Sequence, residues 1–199
     1  MGSDKNWDAC IVTVIDIIGV QKLAPSGTAS ELMRNVSDYA CRTITSELPS
    51  QAQAYLWNDS ILLLSLYATK ATERKKVLQE LSNFKSNLEE SCSVSTYVIS
   101  VKGKAFPAST NSSPCNMEQF NGGPRIIQLK TSSWAMANCF RIENELKKHR
   151  ADWYLDSRII RGLEMAPPKN IDEVKLLPRE TKREIYMYSG QLVSATSLL

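Results

Sequence analysis

The sequence predicts an α+β fold with a ferredoxin-like βαββαβ core, an antiparallel-rich sheet with helices packed on it. Two observations predict this fold. Strand and helix patterns follow in the order β-α-β-β-α-β-β-α, then further strand candidates, and the first six elements have the order of the split βαβ arrangement. The strand patterns at 51–57 and 60–68 are separated only by Asn58 and Asp59, which predicts a hairpin.

The composition is that of an ordinary globular chain and excludes several function classes. The chain has 199 residues, 43% of them hydrophobic and 23% charged, with a formal net charge of +3. That charge is too small to indicate nucleic-acid binding. The sequence has no apolar run long enough to span a membrane, and its first residues lack the apolar run of a signal peptide. We therefore expect a cytoplasmic protein without nucleic-acid or membrane partners.

The numbers and spacing of cysteine and histidine exclude several kinds of catalytic and metal site. The five cysteines are odd in number and never spaced C-x-x-C, which indicates a reducing compartment and neither a disulfide framework nor a zinc site. His149 is the only histidine and lies in a basic run. Ser-His-Asp, Cys-His and multi-histidine metal mechanisms are therefore excluded. If the chain is an enzyme, carboxylates and arginines must perform the catalysis.

The first strand and helix are predicted from local patterns. Residues 9–20 are β-branched and nearly all apolar, which is typical of a buried central strand. The turn around Pro25 is followed by Thr28 and Ser30, either of which can cap a helix that runs to about Leu48.

The remaining elements are predicted in the same way. Apolar residues at helical spacing predict helices over 70–90 (Val77, Leu81, Phe84 and Leu88) and from Ser132 or Ser133 to about Arg150 (Ala135, Cys139, Ile142 and Leu146). The other ranges are strands at 94–106 and 124–131, a loop at 107–123, a possible strand at 153–160, a proline-broken loop around 167–168 and a strand candidate at 184–188.

Two acidic residues occupy positions that favour a metal site. Asp16 interrupts the apolar first strand, where a buried carboxylate is costly unless it is paired or bound to metal. Asp59 lies at the tip of the hairpin, and a ferredoxin-like sheet places that hairpin beside the first strand. The two carboxylates can then converge on hard divalent cations. Gly19 follows the strand and leaves backbone N–H groups to face phosphate oxygens.

These segments resemble the metal motifs of class III nucleotidyl cyclases. The first motif is similar to residues 12–20, VTVIDIIGV, where Asp16 is followed by two apolar residues and Gly19. The second is similar to residues 55–63, YLWNDSILL, with Asn58 in place of the family's glycine before Asp59. The two aspartates are 43 positions apart, which suits the family. The resemblance extends in element order over roughly residues 8–150.

A third motif of the same family is matched in part. Residues 134–147, WAMANCFRIENELK, are similar to the helix that bears a transition-state Asn and, four residues later, an Arg. Arg141 matches the Arg, whereas Ala137 stands at the Asn position and Asn138 one place on. At about 100° per residue, Arg141 and Ala137 share a face opposite the apolar stripe. The resemblance implies that Arg141 is catalytic and acts across a dimer interface.

The residues expected to read the base depart from the purine cyclases. Tyr55, four residues before Asp59, stands where purine cyclases carry Lys or Glu, and the second base-reading position falls near Lys130. Lys102 is a further candidate contact to the base or phosphate. These departures resemble the pyrimidine cyclases of Pycsar anti-phage defence systems, because a Tyr can stack on or hydrogen-bond to a smaller base.

The resemblance implies a complete activity. Asp16 and Asp59, with Ile17, would hold two Mg²⁺ or Mn²⁺ ions, and Ile17, Ile18 and Gly19 would contact the nucleotide. The enzyme would be a phosphorus–oxygen lyase that converts UTP, or next CTP, to the 3′,5′-cyclic nucleotide and pyrophosphate. It would be a homodimer with shared active sites, and its product would activate a separate effector protein in anti-phage defence without a stable complex. Residues 1–199 would form one catalytic domain, with a core at about 8–150 and C-terminal strands and tail at 151–199.

Three alternatives accompany this interpretation. A purine cyclase has the same metal motifs. A degenerate module that binds a nucleotide without turnover is favoured by Ala137 in place of Asn. An RNA-binding ferredoxin-like domain needs exposed aromatic residues on a basic sheet face, and the strand SILLLSLYA is too apolar for that.

Overall fold

The computed structural model describes residues 10–23, 25, 27–57, 59–65, 68–103, 115–119, 125–129, 134–146, 151–163, 170–174, 183–190 and 192. Within these ranges, no helix combines the length and apolar character needed to cross a membrane. The elements of the first half are β1 (Cys10–Ile17), α1 (Val20–Leu23), α2 (Thr28–Glu47), β2 (Gln51–Trp57), β3 (Ser60–Ser65), α3 (Ala71–Cys92) and β4 (Thr96–Gly103). Those of the second half are β5 (Cys115–Gln119), β6 (Arg125–Leu129), α4 (Trp134–Leu146), β7 (Trp153–Asp156), α5 (Ser157–Ile160), β8 (Asn170–Val174) and β9 (Arg183–Tyr188).

The main sheet has seven strands in the order β2-β3-β1-β4-β7-β9-β8. Strand β1 is central and pairs antiparallel with β3 on one side and with β4 on the other. The first four strands therefore have the ferredoxin-like order, and the predicted α+β core is confirmed. Strand β7 extends the sheet by pairing parallel with β4, and β9 and β8 continue it antiparallel.

Both faces of the sheet are buried, which explains why β1 is apolar at nearly every position. Alternate residues of β1, such as Ile11 and Ile15, belong to the core cluster that contains the buried residues of α2 and α3. The intervening Val12 and Val14 belong to a second cluster with the buried residues of α4. The predicted apolar stripes are confirmed, because the α3 residues Val77, Leu81, Phe84 and Leu88 and the α4 residues Ala135, Cys139 and Ile142 are all buried.

The α4 face is the face that carries Asp16, because side chains alternate along β1 and Asp16 is in step with Val12 and Val14. Helix α4 lies close against β1 and β4. A Cβ built on Gly103, at the end of β4, would lie 3.1 Å from the Ala135 Cβ. The Cys139 Sγ donates to the Val12 carbonyl at 3.5 Å. Glycine at position 103 thus permits the close approach of the first turn of α4.

Four local expectations were wrong. Neither Thr28 nor Ser30 is the N-cap of α2, because Gly27 occupies that position with a φ of 75° and no side-chain cap. Strand β5 falls in the range expected as loop and forms a separate two-stranded sheet with β6. The strand expected over 153–160 stops at Asp156, whose carboxylate accepts from the Arg158 N–H and begins α5. Strand β8 had no counterpart among the predicted elements.

Candidate active site

Asp16 lies one residue before the end of β1, between two neighbouring strands. Its Cα partners are Ser60 in β3 and Tyr97 in β4. The Ser60 hydroxyl donates to the Asp16 Oδ1 at 2.7 Å, and Tyr97 lies on the opposite side, close enough to interact with the Asp16 carboxylate. The acid that interrupts the apolar strand is therefore partly buried, with a hydroxyl-bearing side chain on each side.

Asp59 lies at the turn between β2 and β3, directly before the residue that pairs with Asp16. The Ile17 N–H donates to the Asp59 carbonyl at 3.0 Å, so the hairpin tip is fastened to the end of β1. This register brings Asp59 to the end of β1, near enough for its charge to raise the pKa of Asp16. The convergence of the two carboxylates on one cation stays a prediction. The placement depends on the hairpin register, because a one-residue slip would turn every β3 side chain to the other face.

The electrostatics of Asp16 are those of a crowded carboxylate. Burial raises the pKa of Asp16 above its ordinary value, and the negative charges of Asp59 and Glu143 raise it further. The hydrogen bonds from Ser60 and Tyr97 act against this rise. An ionised Asp16 is therefore disfavoured in the folded chain unless a positive charge is supplied nearby.

The donor set of this pair fits a hard divalent cation. Among the described residues, no three or more His, Cys, Asp or Glu side chains are grouped closely enough to hold a metal ion by themselves. Mg²⁺ is typically held by one or two carboxylates, with waters and substrate phosphates completing its shell. Asp16 and Asp59 supply that number of carboxylates, so the residues present fit a cation that is bound together with a phosphate substrate.

Helix α4 carries Arg141 toward the Asp16 end of the sheet. Ala135 packs at Gly103, and the Glu143 Oε1 accepts a hydrogen bond from the Tyr97 hydroxyl at 3.2 Å. The helix therefore runs along β4 from the Gly103 end to the Tyr97 end. Arg141 is partly exposed and lies two residues before Glu143, away from the buried stripe, as the helical spacing predicted.

The residues around the expected transition-state Asn differ in exposure. Ala137 is partly exposed, in step with Arg141. Asn138 is only 2% exposed, and its Oδ1 has no hydrogen-bond partner in the part of the chain that the structure describes. The amide of Asn138 points into its own chain and therefore does not extend from the face that carries Arg141.

Tyr55 lies on β2 and faces the same side of the sheet as α4. Its Cα partner is Leu62, which in turn belongs to the core cluster that contains the buried residues of α4. Tyr55 is 8% exposed, and its hydroxyl donates to the Gln53 Oε1 at 2.7 Å. The predicted base-reading residue is therefore on the Asp16 face, one strand beyond β3, with its ring packed and its hydroxyl directed to a polar neighbour.

Lys102 is not brought near Asp16. It lies five positions beyond Tyr97 on β4, roughly 17 Å away along an extended strand. Its surroundings are basic: burial lowers the pKa of Lys102, and the charges of Arg74 and Arg158 lower it further, against the opposing effect of Asp156. Within one chain, Lys102 belongs to the opposite end of the sheet. Lys130 lies outside the described residues.

Two backbone N–H groups, at the end of β1 and in the turn after it, are already hydrogen-bonded within the chain. The Ile17 N–H is used by Asp59, and the Ile18 N–H donates to the Ser95 carbonyl at 2.8 Å. Gly19 has a φ of 89°, a left-handed conformation that favours glycine. The side chain of Ile18 is 53% exposed, so this turn offers an apolar surface next to the carboxylates.

Three neighbours of Asp16 were not anticipated from the sequence: Ser60, Tyr97 and Glu143. Ser60 had a usable signal, because a residue that follows the hairpin Asp must pair with the acid on β1. Tyr97 and Glu143 had none, because their meeting depends on the angle at which α4 crosses β4, which no short motif records.

A separate cavity of about 500 Å³ lies on the other face of the sheet, between α3 and the beginnings of β4 and β7. Two of its three acidic residues accept hydrogen bonds from the protein. Glu89 accepts from Lys85 and from the backbone of Thr96, and Asp152 accepts from the Gly190 N–H. None of the predicted site residues that the structure describes lines this cavity.

Comparisons with known proteins agree on the fold. No protein-family model matches the chain, and no curated protein matches it. The crystal structure of the guanylyl cyclase Cya2 matches with a TM-score of 0.58 and 9% identity, covering 92% of each chain. The adenylyl cyclase CyaB from P. aeruginosa gives 0.59 and 11% identity, over 93% of this chain and 95% of that one.

The catalytic core of a rhodopsin-guanylyl cyclase with converted specificity, in complex with ATPαS, has a TM-score of 0.59 and 10% identity, over 96% of this chain and all of that one. At identities this low the likeness shows the fold alone. The chain has the fold of the class III adenylyl and guanylyl cyclases, as the sequence motifs implied.

Proposed function

We propose that this chain is a nucleotidyl cyclase that converts a nucleoside triphosphate to its 3′,5′-cyclic nucleotide and pyrophosphate. The observation that carries the proposal is the proximity of Asp16 and Asp59 at the end of β1, in the fold of the class III cyclases. The fold alone does not name a function. Two neighbouring carboxylates, a donor set that suits Mg²⁺ or Mn²⁺, supply the specific support.

The reaction is an intramolecular phosphoryl transfer. The ribose 3′-oxygen forms a bond to the α-phosphorus, the bond to the bridging oxygen breaks with its electron pair leaving on pyrophosphate, and the hydroxyl proton passes to solvent. Two divalent ions, when bound, neutralise triphosphate charge and acidify the 3′-hydroxyl. Asp16 and Asp59 bind and orient this assembly, and Arg141 stabilises charge on the α-phosphate.

Arg141 acts in a site shared between two copies of the chain. Its side of α4 faces away from the buried stripe of Ala135, Cys139 and Ile142, and the side chain is partly exposed. Phe140, beside it, is 38% exposed, and Ile18 next to the carboxylates is more exposed still. Exposed apolar side chains beside both halves of the site support a homodimer that completes each active site.

The substrate of the proposed enzyme is a pyrimidine nucleotide, UTP first and CTP next. Support comes from Tyr55, which stands where purine cyclases carry a long charged side chain, on the sheet face of Asp16. A bulky residue there leaves room for one ring and excludes two. The role in anti-phage defence, the separate effector and the cytoplasmic location belong to the same proposal. A purine cyclase is the alternative, because the matching structures are adenylyl and guanylyl cyclases.

A nucleotide-binding module without turnover is the second candidate, and one observation favours it. Ala137 replaces the transition-state Asn, and the amide of Asn138 is buried in its own chain. Isothermal titration of each nucleoside triphosphate with and without Mn²⁺, beside a product assay, separates the candidates: binding without product would support the module.

The cyclase proposal is tested by neutralising each carboxylate. We expect Asp16→Asn and Asp59→Asn to abolish formation of cyclic nucleotide while the circular dichroism spectrum is unchanged. Asp38→Asn is the matched control, because Asp38 is an exposed aspartate on α2. Activity near that of the wild type in either site variant would contradict the assignment of Asp16 and Asp59 as metal ligands.

A further inference from the structure

The Tyr97 hydroxyl links three elements at the proposed metal site. It donates to the Glu143 Oε1 on α4 at 3.2 Å. Tyr97 is also the Cα partner of Asp16 on β1, which places the same hydroxyl close enough to interact with the Asp16 carboxylate. A phenol carries one proton, so it can donate to only one of the two carboxylates at a time.

The ring of Tyr97 is itself held in place. It packs against the α4-side core and meets Tyr154 edge to face, with ring centroids 6.1 Å apart and an interplanar angle of 89°. Such edge-to-face pairs are a preferred aromatic geometry. A ring fixed by packing and a hydroxyl bonded to Glu143 leave Tyr97 little freedom to turn away from Asp16.

The Asp16 carboxylate is thereby flanked by side chains from both neighbouring strands. Ser60 donates to it from β3, and Tyr97 approaches it from β4. Hydrogen bonds to a metal-ligating side chain fix its orientation, and loss of such a partner typically weakens metal binding by about 10- to 100-fold. Ser60 follows the hairpin acid directly, but Tyr97 reaches the site from a strand that carries none of the family's metal motifs.

We propose that Tyr97 is a positioning residue of the metal site, with its hydroxyl holding Asp16 in the orientation that binds the cation and Glu143 anchoring that hydroxyl from α4. The inference rests on the proposed metal-dependent function. It adds that the helix bearing Arg141 is tied through Glu143 and Tyr97 to the carboxylate on β1. A shift of α4 would therefore change the orientation of the Asp16 carboxylate.

The test is isothermal titration calorimetry with a preformed complex of Mn²⁺ and inorganic triphosphate, which contains no base and cannot be cyclised. We expect Tyr97→Phe to weaken binding of the complex about tenfold or more, with the midpoint of thermal unfolding in the absence of metal close to that of the wild type. Tyr154→Phe is the matched control. It removes a hydroxyl from the same aromatic pair, and that hydroxyl accepts from the Ala151 N–H at 3.1 Å instead of contacting Asp16.

The outcomes separate this inference from the proposed function. Asp16→Asn should abolish Mn²⁺-dependent binding, and unchanged binding in that variant would overturn the metal site itself. Loss of binding in Asp16→Asn together with wild-type affinity in Tyr97→Phe would overturn the role of Tyr97 and leave the cyclase proposal standing. Equal losses in Tyr97→Phe and Tyr154→Phe would also overturn it, because the effect would then belong to the aromatic packing.

Glu143→Asp examines the anchor without changing the charge. The shorter side chain withdraws the carboxylate from the Tyr97 hydroxyl, so we expect a severalfold weaker binding of the Mn²⁺–triphosphate complex. If Glu143 acts through Tyr97, the double variant binds no more weakly than Tyr97→Phe alone. Additive losses in the double variant would overturn the anchoring role.

Discussion

Asp16 is needed for the proposed function, but its ionised side chain is unfavourable for the stability of the fold. Burial and the charges of Asp59 and Glu143 disfavour its ionised form, which a divalent cation requires. A protein that needed only stability would place an apolar residue at this position of β1. The strand instead keeps a carboxylate, and two neighbouring hydroxyl groups compensate for part of its burial.

The first prediction concerns the stability of the Asp16→Asn variant. Because the pKa of Asp16 is raised in the folded chain, its contribution to stability is fully present below the unfolded value of 3.8 and is lost as the pH rises through the folded value. Asp16→Asn should therefore unfold at a higher temperature than the wild type at pH 7 without metal. The difference should shrink as the pH falls toward 3.8.

Thermal unfolding from pH 4.5 to pH 8 measures this difference, with Asp38→Asn as the control. Added Mn²⁺ together with inorganic triphosphate should raise the midpoint of the wild type and leave that of Asp16→Asn unchanged. A variant less stable than the wild type at pH 7 without metal would mean that the carboxylate is satisfied by the chain alone.

The second prediction concerns Tyr55 and base selection. Its ring is packed on the Asp16 face, and its hydroxyl donates to Gln53. Loss of a buried contact to the base costs on the order of 1–3 kcal/mol, or roughly ten- to two-hundredfold in rate. Tyr55→Ala should lower kcat/KM for UTP and CTP by about that much, with the Mn²⁺ requirement unchanged.

The measurement is kcat/KM for UTP, CTP, ATP and GTP in the wild type, Tyr55→Ala and Tyr55→Phe. Tyr55→Phe keeps the ring, so it should retain the exclusion of purines and lose only the contribution of the hydroxyl. Pyrimidine selectivity that survives Tyr55→Ala would show that another residue reads the base.

At the scale of elements, the sequence predicts what depends on local pattern. The buried β1, the hairpin of β2 and β3, and the apolar stripes of α3 and α4 all follow from periodicity and turn residues, and the structure has them. The placement of Asp59 beside the end of β1 follows as well, because the hairpin lies next to β1.

The remaining features depend on three-dimensional placement that short-range patterns do not record. The sequence predicts that the strand continues beyond Asp156, but α5 begins there. The Asp156 carboxylate accepts hydrogen bonds from the backbone N–H and the guanidinium of Arg158. Lys102 lies near the end of β4, a position that favours a contact to a ligand. Because β4 runs antiparallel to β1, this end of β4 lies far from Asp16. The contact of Tyr97 with Glu143 depends on how α4 crosses the sheet.

The third prediction concerns the seating of α4 on β4. Because a Cβ on Gly103 would lie 3.1 Å from the Ala135 Cβ, Gly103→Ala forces the helix or strand to give by a few tenths of an ångström. We expect a loss of about 1–3 kcal/mol in the free energy of unfolding. Gly103→Ala combined with Ala135→Gly should be less destabilised than the sum of the two single variants. Urea unfolding of the four proteins measures this coupling, and additive losses would contradict the close packing.

At the scale of the whole molecule, we propose that each active site is shared between two chains. The carboxylates lie on β1 and the hairpin, whereas Arg141 lies on the outer side of α4. A dimer in which α4 of one chain faces the carboxylates of the other would unite them. The division of the chain into a core at 8–150 and a C-terminal part remains a prediction.

The fourth prediction follows from this shared site. Asp16→Asn and Arg141→Ala are each expected to be inactive as homodimers. A heterodimer of the two contains one site with both wild-type residues, so mixing them should restore part of the activity. Subunit exchange is confirmed first by native mass spectrometry. Exchange without any recovery would indicate that each chain holds a whole site.

The most direct test of the central claim is mass spectrometry of the products formed from an equimolar mixture of UTP, CTP, ATP and GTP with Mn²⁺. We expect cyclic UMP with pyrophosphate as the main products, cyclic CMP next, and neither from Asp16→Asn. Cyclic AMP or cyclic GMP as the main product would keep the cyclase and remove the pyrimidine preference. The absence of any 3′,5′-cyclic nucleotide from the folded wild-type chain would contradict the account.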